Sequence, residues 1–442
     1  MKNTLFIIIA LVASLTSLKA KDHKNYCWDK DLQHRKACDF TRSREEVVNY
    51  IKKYIPKVTD SQISAWEQSG ALECMTVNGQ KKYFRNAAPN LFRIDASCAR
   101  IKALKDGVSL SGSERDDAIN IPEIISSATG PYRIGAPKRM RVTFTLSVHA
   151  DAVPAGEKVR CWLPFPRTDI PRQKDVRLLS VSEKKYQLAP ETCQHSSVYM
   201  EKKAKAGQPT VFSETFEYTS YGAWFNLQEE DIKPYDTTSA LYKTYTAERS
   251  QHILFTPELR QLAAELTEGE THPLKKARNI FRYITANFPW ASALEYSTID
   301  NIPMYVLKNR HGDCGQVSLL FITLCRISGI PAHFQSGLMM HPHGSNMHDW
   351  SEIYFEGIGW VPVDQSFGIP VYARNDAETW FFLGGIDSWR LVANQDYGME
   401  MYPKKQFPRS ETVDFQRGEV EWKGGNLYFD QWDYHWDIEY LN

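Results

Sequence analysis

Cys314 stands in "NRHGDCGQ" (309–316), directly after Gly312-Asp313 and ahead of the apolar run "VSLLFITLC". A cysteine there can act as a nucleophile. Asp313 is a good N-cap, so the thiol is expected in the first helical turn. There the positive end of the helix dipole and unpaired N–H groups favour a thiolate and could also hold an oxyanion. Such a nucleophile needs a group that moves protons, normally a histidine oriented by a third residue. The stretch "NMHDWSEIYFEGIGWVPVDQSFG" (346–368) offers both. His348 opens a strand, a three-residue loop at Glu356–Ile358 reverses it, and "WVPVD" returns antiparallel. With a period of two, His348, Trp350, Glu352 and Tyr354 share a face, as do Trp360, Pro362 and Asp364. Asp364 then faces Trp350 and lies diagonal to His348, a Cβ gap of about 7–8 Å that an imidazole and a carboxylate can close. The chemistry this set offers is acyl transfer, with Cys314 attacking, His348 as base and acid, and Asp364 as orienter.

Helices and strands must position these groups. In the helix opened by Cys314, Val317, Leu320, Phe321 and Leu324 form the apolar face, and Gly329 with Pro331 ends it. Gln316 is expected on its solvated surface. Upstream, Thr256-Pro257 reads as an N-cap followed by proline in the first turn. "PLKKARNIFRYITANF" places Ala277, Ile280, Phe281, Ile284 and Phe288 on one face.

"GDC" opening a helix, "RISGIPAHFQSG" closing it, "HDW.E.YFEGIGW" and "VD" together resemble the transglutaminase-like superfamily of cysteine enzymes, most strongly over residues 273–368. The resemblance implies a papain-like α+β core with Cys314, His348 and Asp364 as a catalytic triad. It also implies a second oxyanion donor upstream of the cysteine, for which Trp290 is the candidate, with Tyr296 behind it. Two positions depart from the family pattern: Asp349 replaces a small residue, and His333 replaces the usual arginine.

The 442 residues are enough for two or three domains. Residues 1–20 are expected to be a signal peptide, with Lys2 ahead of a short apolar run and Ala20 at the cut. Residues 21–130 read as a small mixed domain, with a capping box at Ser43…Glu46 and a hairpin turn at Asn78-Gly79. Residues 131–235 read as a β-sandwich, on alternating segments such as "MRVTFTLSV". Residues 236–442 are expected to hold the catalytic core and an aromatic-rich β segment.

Of eight cysteines, the first six are expected to pair in an oxidising compartment. The simplest of their 15 connectivities is 27–38, 74–98 and 161–193, the first two stapling the N-terminal domain. Cys314 and Cys325, eleven residues apart on one helix, lie about 16 Å apart and cannot bridge.

Lys+Arg and Asp+Glu both number 53, so no basic excess points to nucleic acid. His341, His343 and His348 raise a metal site, but "HPHG" reads as a loop and His348 already has a role. No EF-hand loop occurs. No metal or cofactor is expected, and no membrane span in the mature chain. The reading is of an exported, periplasmic or extracellular, cysteine hydrolase that cleaves amide bonds of peptides or peptide-like cell-surface material. A protein-glutamine amine transferase is the alternative. A non-catalytic peptide or glycan binder, using the sandwich and the tryptophans of the tail, is a third.

Overall fold

The computed structural model describes residues 26–107 and 120–441. The expected signal peptide and most of the polar stretch that follows Gly107 lie outside them. The N-terminal part comprises α1 (Trp28–Asp39), α2 (Arg44–Lys52), α3 (Asp60–Gln68), β1 (Cys74–Val77), β2 (Gln80–Tyr83), α4 (Ala87–Ile94) and α5 (Ala96–Asp106). Ser43 and Glu46 form the expected capping box on α2. Asn78 and Gly79 take φ values of 49° and 77° and close the hairpin with Val77 opposite Gln80. Both turn positions need positive φ, which explains the Asn-Gly pair.

The structure does not support disulfide staples. All eight cysteines are thiols. Cys27 caps α1 and Cys38 lies near its far end, so eleven residues of helix hold them about 16 Å apart, beyond the ~7 Å reach of a disulfide. Cys161 points into the sandwich core, whereas Cys193 lies half-buried past the strand end with its carbonyl held by Arg167. Apolar packing holds this region instead. Val47, Ile51, Phe84 and Leu91 belong to the same core as Phe281 and Phe321.

After α6 (Ile121–Ser127) come β3 (Ile134–Val148), β4 (Lys158–Pro164), β5 (Gln173–Val181), β6 (Tyr186–Leu188), β7 (Ser197–Lys203) and β8 (Thr210–Trp224). Met140, Val142, Phe144, Leu146 and Val148 all face inward, as their alternation requires. Next are α7 (Ala240–Tyr245), α8 (Pro257–Leu266), α9 (Pro273–Asn287), α10 (Ile302–Asn309), α11 (Cys314–Ile327), β9 (Ala332–His341), β10 (Gly344–Phe355), β11 (Gly359–Val363) and α12 (Asp376–Thr379). The chain ends in β12 (Gly385–Ile386), β13 (Arg390–Asn394), β14 (Glu419–Trp422), β15 (Gly425–Asn426) and β16 (Trp432–Leu441).

Three larger sheets result. One runs β11-β10-β9-β13, and α11 packs on β9 and β10, its Leu320, Phe321 and Leu324 sharing one apolar core with Phe334, Ile353 and Val361 of that sheet. The other two face each other as a sandwich: β12-β8-β3-β16 with β5 on β8, and β15-β14-β4-β7-β6. The last strands join the sandwich rather than the sheet beside α11, β16 pairing with β3 and β14 with β4. Among the described residues no helix is long and apolar enough to cross a membrane.

Candidate active site

Asp313 caps α11 with a full capping box: its carboxylate accepts from Gln316 N at 3.0 Å, and Gln316 Oε1 accepts from Asp313 N at 3.2 Å. This fixes Cys314 as the first helical residue. Gln316 is therefore buried, not on the solvated surface expected for it, because capping draws its side chain back over the helix end.

On β10 and β11 the register is as the spacing implies, with Glu352 opposite Pro362 and Phe355 opposite Gly359 across the three-residue loop. His348 Nε2 lies 2.7 Å from Asp364 Oδ2, both groups buried. Burial pushes the imidazole down, against the pull of Asp364. Burial alone would raise Asp364, but His348 and Arg390 together bring it below its ordinary range. The resting pair is a neutral imidazole and a carboxylate. A carboxylate only accepts, so Nε2 carries the proton and Nδ1 keeps its lone pair. Among the described residues no hydrogen bond reaches Nδ1.

Sequence reasoning missed what lies behind Asp364. Buried Arg390 sits 2.9 Å from it and also pairs with Asp387, which holds His341 Nε2 at 3.0 Å. His341 and His348 are thus committed to different aspartates. A guanidinium three residues past an acid carries no local signature; only the β9–β13 pairing brings Arg390 beneath the site.

The structure does not hydrogen-bond Cys314 to His348. Adjacent residues on a strand point to opposite faces, and Asp349 is the one that meets the thiol, its Oδ2 accepting from Sγ at 3.5 Å. The thiolate expectation is corrected accordingly. Burial, then Asp349 and Asp313, hold the Cys314 thiol well above its ordinary pKa. Burial and the neighbouring Asp313 also push Asp349 well up. Two carboxylates beside a desolvated sulfur outweigh the dipole. Of the two departures from the family pattern, Asp349 therefore touches the thiol. His333 is buried against Trp360 and lies 3.1 Å from Glu352.

A cleft of about 180 Å³ opens over Cys314 and Asp349. Trp290, bridged to Gly312, lines it with 42% of its surface exposed and Arg93 stacked 4.7 Å above the ring. Its indole N–H makes no hydrogen bond among the described residues. Tyr296 lies deeper, its hydroxyl donating to Asp313 at 2.7 Å and 3.3 Å from Asp349. The cleft also takes Arg85 and Asn86 from the N-terminal part, and Asp414 and Arg417 from the tail. Neither region showed catalytic spacing in the sequence.

Residues 260–365, the span from α8 to the end of β11, match the family model of the transglutaminase-like superfamily. The chain carries a transglutaminase-like domain. The Bacillus subtilis protein YebA, itself uncharacterised, is 25% identical over 129 residues, covering 25% of this chain and 17% of that relative. A candidate cysteine protease from Cytophaga hutchinsonii shares 14% identity over 70% of this chain and 92% of its own, at a TM-score of 0.46. The periplasmic domain of TgpA from Pseudomonas aeruginosa shares 16% over 56% of this chain and 91% of its own, at 0.27. At those scores neither structure bears on what this chain does. Within the transglutaminase-like domain, α11 carries Cys314 and the β10–β11 region carries His348 and Asp364; of the three only Cys314 lines the cleft, whose walls are completed from outside that domain.

Proposed function

We propose that this chain is a thiol hydrolase of peptide amide bonds, working outside the cytoplasm, with Cys314 as nucleophile, His348 as base and acid, and Asp364 as orienter. What supports it most is the buried His348–Asp364 pair, its Nδ1 lone pair unclaimed, in the residue next to the Asp349 that meets the helix-capped thiol. In this reading Sγ turns from Asp349 toward Nδ1 when substrate enters. The thiol proton passes to Nδ1 as sulfur bonds to the carbonyl carbon. N–H groups at the start of α11, with Trp290 as side-chain donor and Tyr296 behind it, take the oxyanion. The imidazolium protonates the departing amine and the C–N bond breaks, leaving a thioester. Water then loses a proton to His348 as its oxygen bonds to the thioester carbon, the C–S bond breaks, and His348 returns that proton to Sγ as the free acid leaves.

Two variants and a product assay test this. Cys314→Ala should abolish turnover of short peptides. Asp364→Asn should lower it by up to about 10⁴-fold, through the wrong imidazole tautomer. Near-normal turnover in either variant overturns the assignment. With millimolar lysine-like amine present, free acid should remain the main product. Dominant transfer to the amine would make the chain a transglutaminase, and no product from varied peptides would make it a binding protein.

A further inference from the structure

We propose that the cleft beside Cys314 is a subsite for a primary ammonium group of the substrate peptide, held between Asp414 and Asp349. The inference rests on the hydrolase reading for the position of the scissile bond. Five carboxylates line the cleft against two cations, Arg85 and Arg417. Both cations are already paired. Arg417 grips Glu295 through two nitrogens at 2.9 and 2.7 Å and reaches Glu411 at 2.7 Å. Arg85 bonds Glu295 at 2.9 Å and lies 3.0 Å from Asp39. Asp313 is taken up by the cap and by Tyr296. That leaves Asp349 and Asp414.

Asp349 has neutral partners only: Cys314, Gln416 Nε2 at 2.8 Å, and at 3.3 Å the Tyr296 hydroxyl whose one proton it shares with Asp313. Asp414 has fewer still. It is 6% exposed and lines the cleft, and among the described residues its carboxylate makes no hydrogen bond and no ion pair. Leaving a buried carboxylate unpartnered is costly. Burial, then the charges of Glu411 and Asp349, push Asp414 well above its ordinary range. A cation carrying its own N–H donors answers both needs. The cleft carboxylates do not converge as metal ligands do; among the described residues the group whose ligand atoms lie within 4.8 Å of one another is His34, Cys38 and Asp430, elsewhere on the surface. A volume of about 180 Å³ suits an ammonium with a small residue attached. With Cys314 in the same wall, that ammonium belongs close to the scissile carbonyl. It can come from a peptide N-terminus or from a lysine-like side chain.

Two substrate pairs separate these sources: tetra-alanine with a free or acetylated N-terminus, and acetyl-Ala-Lys-Ala-Ala-amide against its norleucine counterpart. In the wild-type chain one ammonium member should exceed its neutral partner at least tenfold in kcat/KM. Asp414→Asn should bring that ratio near one, and Asp414→Glu should restore part of it. Equal kcat/KM within both pairs, or an unchanged ratio in Asp414→Asn, overturns the subsite. Calorimetry of the same peptides with Cys314→Ala reads binding without chemistry. A binding preference for the ammonium peptide in a chain that never turns over keeps the subsite and removes the hydrolase reading. Turnover without preference does the reverse, and neither turnover nor preference removes both.

Discussion

The contact between Cys314 and Asp349 makes the resting thiol a proton donor to a carboxyl group rather than a free thiolate. Its reactivity should reflect that. Cys27, exposed at the start of α1, should alkylate fastest in the native chain, and Cys314 slowly at neutral pH. Burial is the larger restraint on Cys314 and the neighbouring carboxylate the next. Asp349→Asn should therefore speed iodoacetamide labelling of Cys314 several-fold at pH 7.5, a pKa unit being worth about 1.4 kcal/mol. Mass-spectrometric mapping at timed intervals reads this. An unchanged rate in Asp349→Asn would show that burial alone sets the acidity. His348 is kept neutral by burial against the pull of Asp364, which fixes its tautomer, with Arg390 behind it holding the acid ionised.

At the scale of elements, the first turn of α11 carries the nucleophile and its cap decides where the sulfur points. Asp313 satisfies Gln316 N and receives the Tyr296 hydroxyl, so it ties the helix end to the 290–296 segment. Asp313→Ala should cost about 1 kcal/mol in denaturant unfolding, while Asp313→Asn, which caps as well, should stay within a few tenths. Equal losses from Ala and Asn would mean that charge, not the cap, matters. The 290–296 segment is held from its far side by Asn90, which bonds Ser292 in both directions at 2.8 and 2.9 Å. One wall of the cleft is thus positioned by α4, more than 200 residues upstream of Cys314.

Across the whole molecule the same docking buries titratable groups between distant parts. Glu73, at the edge of the N-terminal hairpin, accepts from the Tyr305 hydroxyl of α10, and burial raises its pKa to about 7. An unfolded glutamate releases its proton near ~4.3. Between those values the folded chain binds the extra proton. The contribution of Glu73 is full below ~4.3 and is lost as pH rises through about 7, a swing on the order of 3 kcal/mol. Glu73→Gln keeps an acceptor for Tyr305 and removes the charge. It should stabilise the chain by about 2–3 kcal/mol at pH 8 and scarcely at pH 4.3. Equal effects at both pH values in denaturant titrations would refute a titrating Glu73.

The sequence alone determined what depends on neighbours in the chain. The Asp313 cap, the register of the β10–β11 hairpin, the parity that puts His348 and Asp364 on one face, and the Asn78-Gly79 turn all follow from local periodicity and turn chemistry. So did the family motifs, which sit in those same local elements. The tertiary structure decided what depends on approach between segments far apart. It set the acid beside the thiol, since parity gives Asp349 a face but not the helix end that meets it. It placed Arg390 under Asp364 through strand pairing, and brought Arg85 and Asp414 into the cleft from opposite ends of the chain. It also keeps Cys27 from Cys38, because helix α1 separates them along its axis. The acidity of Cys314 belongs to this second group. A helix terminus is a property of the sequence, but the desolvation and carboxylates that override it come from the packing around it.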